Sequence, residues 1–166
     1  MMSPAGRRSS YNGQEFIHHR RQGSPLEVAH VRNRLKIATD AARQRAQARR
    51  ARIAEAERAF DTFVTMATPL LKQLANALRV DGQMFTLFTP EHAPRLASDR
   101  SRVDFIELTL DTTSERPGVI ARISYARGSR TVDEERPVKP GAAPDAISEE
   151  ELLAFLLDAL EPWLER

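Results

Sequence analysis

From Ser24 to Val80 the chain places apolar or small residues at steps of three and four. Val28, Val31, Leu35, Ala38, Ala42 and Ala46 open the series. Ile53, Ala56, Phe60, Phe63, Ala67, Leu71, Leu74 and Leu78 carry it on. That spacing holds one stripe on one side of a helix. Ser24-Pro25-Leu26-Glu27 has the form of a helix start: a serine cap, a proline in the first turn, and a glutamate able to reach back to the cap. No glycine interrupts the stretch between Gly23 and Gly82. Pro69 follows Thr68 and predicts a kink or a short break, with Thr68 able to cap a second helix. An unbroken helix would span roughly 80 Å, longer than a domain of this size is wide.

The stripe changes character along its length. Between Phe60 and Leu78 it widens to include Val64, Met66, Leu70, Ala75 and Ala77, the pattern of a helix buried in a core. Between Leu26 and Ala46 it is narrow and rich in alanine. A narrow stripe on a long helix reads as a coiled-coil seam through Val28, Val31, Leu35, Ala38 and Ala42. The competing reading is a solvated helical arm whose stripe touches little.

Beyond Gly82 the period falls to two. Met84 to Thr89 reads as a short strand and Pro90 to Ser101 as a loop broken by Pro90 and Pro94. Arg102 to Thr112 alternates clearly, with Ile106, Leu108 and Leu110 on one side and Glu107, Thr109 and Asp111 on the other. Gly118 to Ala126 answers it. Arg127-Gly128 turns into Ser129 to Glu135, whose Asp133, Glu134 and Glu135 suit a sheet edge. Ser148-Glu149-Glu150-Glu151 is a capping box. It opens a helix with Leu152, Leu153, Leu156, Leu157, Leu160, Trp163 and Leu164 on a broad stripe, predicted to cover the sheet. Pro162 is expected to distort its last turn.

The predicted fold is α+β: a long N-terminal helix, a three- to four-stranded antiparallel meander, and a C-terminal amphipathic helix closing the core. Three regions are expected: a disordered basic tail over 1–23, a helical arm over 24–58, and a small α+β domain over 59–166.

Composition narrows the classes of function. Hydrophobic residues make up 41% of the chain, enough for one modest core. The absence of cysteine removes disulfides and thiolate metal sites. No apolar run approaches the length that spans a bilayer, and no apolar segment follows the N-terminal arginines as a secretory signal needs. A cytoplasmic location is therefore expected.

The formal net charge of +2 conceals an asymmetry. Residues 1–60 carry 13 Lys/Arg against 5 Asp/Glu, and residues 61–166 carry 12 against 18. A front of +8 and a back of −6 suit an acidic partner for the front, or attraction between copies. Arg43, Arg45, Arg49, Arg50 and Arg52 fall within ten residues, with no acid between Asp40 and Glu55. Like charges four apart on a helix repel by a few tenths of a kcal/mol. Such a face suits a polyanion, phosphate contact being the sharp reading and plain solvation the bland one. Arginine outnumbers lysine 22 to 3 throughout, which lowers the weight of any single arginine.

Catalytic chemistry is thin. Glu91-His92, Asp99 and Asp104 are the nearest candidates, and no nucleophile-elbow, zinc-protease, P-loop or dinucleotide motif accompanies them. The pair His18-His19 lacks further ligands at useful spacing, so no metal is expected. No cofactor is expected either. The leading expectation is an oligomerising interaction or adaptor protein, partnered by its own copies or another protein. Nucleic-acid binding through the arginine face is the alternative.

Overall fold

The computed structural model describes residues 27–165. The chain divides into two units, Met1–Ala41 and Ala42–Arg166. The expected disordered tail over 1–23 and the Ser24-Pro25 start lie outside the described residues. Helix α1, Val28–Val80, contributes to both units. At its opening the Glu27 carbonyl accepts from the N–H groups of His30 at 2.8 Å and Val31 at 3.2 Å.

In the second unit α1 runs through Pro69 as one helix, so of the expected kink or short break the break is absent. Proline removes one backbone donor and costs about 3 kcal/mol inside a helix. Phe60, Phe63 and Ala67 before it, and Leu70, Leu71, Leu74, Ala75 and Leu78 after it, are all buried in one core. Each large apolar side chain so buried contributes about 1.5–3 kcal/mol, so packing on both sides outweighs the proline. Thr68 does not cap a second helix. Its hydroxyl donates back to the Val64 carbonyl at 2.7 Å, and that of Thr65 donates to Asp61 at 2.9 Å.

Gly82 ends α1 at φ +82°. Its N–H donates to Arg79 at 3.1 Å and the Gln83 N–H reaches back to Leu78 at 2.8 Å. This is a Schellman cap, which calls for a left-handed residue at that position.

Five strands follow, not three or four: β1 (Phe85–Phe88), β2 (Arg95–Ser98), β3 (Phe105–Asp111), β4 (Gly118–Arg127) and β5 (Arg130–Pro137). They pair antiparallel in chain order as one meander. The extra strand is β2, inside the expected loop over 90–101. Four residues with one buried apolar side chain, Leu96, carry too little alternation to be read locally. Pairing on both sides, with β1 and β3, makes the strand. β5 lies at the sheet edge, as its charges suggest. Its hairpin with β4 turns at Gly128, φ +63°, while Ser129 keeps an ordinary φ; a positive φ at the first position alone marks a type II′ turn.

One sheet face carries Phe85, Leu96, Ile106, Leu108, Val119, Ala121 and Ile123 into the core with α1 and α2, Glu149–Leu164. Leu152, Leu156, Leu160 and Trp163 of α2 are buried there. Trp163 meets Phe85 and Tyr125 edge-on, at 5.5 and 5.8 Å between ring centroids. The helix continues past Pro162 to Leu164.

The capping box at α2 forms. The Ser148 hydroxyl accepts from the Glu151 N–H at 3.2 Å, and the Glu151 carboxylate accepts from the Ser148 N–H at 2.9 Å. Lys139 Nζ adds an ion pair at 2.8 Å. Lys139 first, then the Ser148 N–H, hold the Glu151 carboxyl down at about 2, against an ordinary 4.5. Asp111 is held at about 2, against 3.8, chiefly by the Ser114 hydroxyl and then by Thr113. Both folded values lie below the unfolded ones. Their contribution is therefore complete above the ordinary carboxylate range and is lost as pH falls toward about 2. Urea midpoints should fall as pH drops from about 5 to about 2. The combined Asp111→Asn, Glu151→Gln variant should start lower and fall less steeply; a slope unchanged from the parent would rule these groups out as its source.

Candidate functional site

The apolar positions expected to form a seam are all exposed. Val28 is 66% exposed, Val31 48% and Leu35 65%; Ala38 and Ala42 are exposed as well. Ile37 is a further exposed apolar side chain absent from the expected seam. It lies two residues from Leu35, and residues two apart do not share a helix face, so it falls outside the stripe.

The arginine cluster is exposed from Arg43 to Arg52. Arg43 and Asp40 each have an interaction partner. Among the described residues no ion pair engages Arg45, Arg49, Arg50 or Arg52. Arg52 Nη1 instead donates to the Glu115 backbone carbonyl at 3.4 Å, a long bond.

That bond links α1 to the β3–β4 turn. A cavity of about 230 Å³ lies there, lined by Arg49, Arg52, Ile53, Pro117 and the turn from Thr112 to Glu115. The turn is organised by Asp111. Its carboxylate accepts from the Thr113 N–H at 2.8 Å, from the Thr113 hydroxyl at 2.6 Å, and from the Ser114 hydroxyl. These donors serve Asp111, which leaves the two guanidinium groups as the cavity's charged donors.

The sheet face away from the core presents a row of directly paired residues, one from each strand: Phe88, Arg95, Glu107, Arg122 and Glu135. Glu107 sits between two cations, with Arg95 Nε 3.8 Å from Oε1 and Arg122 Nη1 3.4 Å from Oε2. Arg122 Nε reaches Glu135 at 3.5 Å. The pattern of β3 predicts Glu107 on a wet face. Glu107 is on that face and yet buried, as is Ser124, because central-strand neighbours cover them. Alternation along one strand carries no information about cover from the next. Phe105 shares this face and lies beneath the Arg95 guanidinium, 3.7 Å from its ring centroid.

Two of the catalytic candidates accept hydrogen bonds from neighbouring strands. Asp104 is buried and accepts from the Ala126 N–H at 2.7 Å. Asp99 accepts from the Thr86 hydroxyl at 2.8 Å. Glu91 and His92 are exposed, both with left-handed backbone. Among the described residues no group of three or more His, Asp or Glu is placed to hold a metal ion, and no helix is long and apolar enough to cross a membrane.

Comparison with known proteins yields no matching family model, no matching curated protein and no matching solved structure.

Proposed function

We propose that the chain is an oligomerising interaction, or adaptor, protein that associates with its own copies through Val28, Val31, Leu35, Ala38 and Ala42. The observation carrying this reading is the exposure of Val28, Val31 and Leu35 on α1. Their spacing argues for a second copy. Steps of three, four, three and four are the repeat that lets two helices interlock. The next three positions of that repeat are Arg45, Arg49 and Arg52. Like charges facing each other would end the seam there, and pairing would present the arginines in duplicate. The lack of cysteine suits a reducing, cytoplasmic setting.

Light scattering of the full chain on a sizing column tests the proposal. A mass of two or more chains in moderate salt supports it. A monomer at all concentrations reached rejects it.

A second reading, binding of nucleic acid, draws on the exposure of Arg45, Arg49, Arg50 and Arg52 without ion pairs. Affinity for DNA or RNA should then fall steeply with salt, by about 0.9 units of log–log slope per phosphate contacted on duplex DNA. Replacing Arg45, Arg49 and Arg52 together by alanine should lower that slope by about three units, read by fluorescence anisotropy across a salt series. Absence of binding at low salt would end this reading.

A further inference from the structure

Beside the cross-strand row, an open cleft of about 620 Å³ lies among Phe88, Pro90, Arg95, Ala97, Arg102 and Phe105. That volume falls in the range of small-molecule sites. Phe88 ends strand β1 directly opposite Arg95 and is 52% exposed. The Arg95 guanidinium is stacked on Phe105. Its Nε is buried without a hydrogen-bond acceptor, the Glu107 carboxylate being 3.8 Å away. Arg102 is exposed and takes part in no ion pair among the described residues. No carboxylate lines the cleft.

The loop beside it is strained. Glu91 at φ +48° and His92 at φ +66° are consecutive left-handed residues without being glycine. Such positions are strained for residues other than glycine and persist where the surroundings hold them. Here the Ala93 N–H bonds Pro90 at 2.7 Å, and buried Pro94 accepts from the Leu108 N–H at 2.9 Å. The strained turn fixes Pro90 as one wall of the cleft.

We propose that this cleft binds a small planar aromatic anion. An exposed phenyl ring and a ring-stacked guanidinium favour a flat π-system. Arg102, which has no ion pair among the described residues, and the unbonded Nε–H of Arg95 favour a negative group on it. A small ligand is favoured over a polymer because residues 61–166 carry a net charge of −6, which repels a long polyanion. The cleft shares no residue with the self-association seam.

Amide NMR of the full chain, titrated with naphthoate, is the test. Saturable shifts should gather at the amides around Phe88, Ala97, Arg102 and Phe105. Naphthamide, flat and neutral, and cyclohexanecarboxylate, charged and not aromatic, should each bind at least about fivefold more weakly. Phe88→Ala and Arg102→Ala should each weaken naphthoate by about three- to tenfold. Both side chains are exposed, so the fold should hold. Adenosine monophosphate is the second arm. Shifts of the same amides by it assign the natural source to nucleotides; shifts by naphthoate alone assign it to aryl carboxylates. No saturable shift by either ligand at millimolar concentration overturns the proposal. So does binding that survives the double variant unchanged.

Discussion

Leu156→Ala should lower the unfolding free energy by about 2–5 kcal/mol, while Leu157→Ala should change it by no more than about 0.5 kcal/mol. The two leucines are neighbours with the same chemistry. Leu156 is fully buried, at 0% exposure, and Leu157 is 48% exposed. Removing Leu156 deletes three carbons from a packed site shared by α1, the sheet and α2, and leaves a cavity that neighbours fill only partly. A small domain has about 5–15 kcal/mol of stability in all, so the loss is a large fraction of it. Urea denaturation of the two variants decides the matter. Equal losses at both positions would mean that α2 is not held to the sheet by this face. The expected inequality makes α2 part of the core.

Val31→Lys with Leu35→Lys should convert the proposed oligomer to monomer, raising its dissociation constant at least about a hundredfold. Burying one such apolar side chain contributes about 1.5–3 kcal/mol, and each tenfold in affinity corresponds to about 1.4 kcal/mol. Two positions on each of two chains therefore exceed the hundredfold, before the cost of facing lysines is counted. Lysine is a good helix former, and both sites are exposed, so helicity by circular dichroism should stay the same. The readout is mass against concentration. A variant that keeps the parent's oligomeric mass would show that the assembly uses another surface. A parent that is already monomeric rejects the seam without the variant.

Much of the architecture was legible along the chain because it is written in short-range periods. Steps of three and four marked both helices. The Gly82 stop, the Gly128 turn and the Ser148–Glu151 box each formed as their residue types imply, since caps and tight turns are decided by a few consecutive dihedral angles and donors. The charged edge strand β5 was legible for a similar reason, since charges at 133–135 disfavour further pairing. The apolar stripe and the arginine cluster of the candidate site were read off as well. Their exposure was not, because an apolar stripe looks the same whether or not something covers it.

What escaped local reading depended on partners distant in sequence. β2 is too short to announce itself and exists through its two neighbours. Pro69 reads as a kink or a short break because its cost is local, while the burial that holds one helix through it comes from the sheet and α2. Glu107 looked solvated because alternation places it on the outer face; two arginines from adjacent strands bury it. The cleft at Phe88 joins residues from β1, β2, β3 and two connecting loops, none of which suggests a site alone. The sequence by itself determined the two helices, the Gly82 stop, the Ser148 cap, the sheet's alternation and the separation of charge, all set within a few residues by dihedral preference and spacing. Only the tertiary structure decided which apolar face was covered, how many strands the meander held, and which charges met, because those depend on contacts between elements distant in sequence, whose ordering entropy burial offsets.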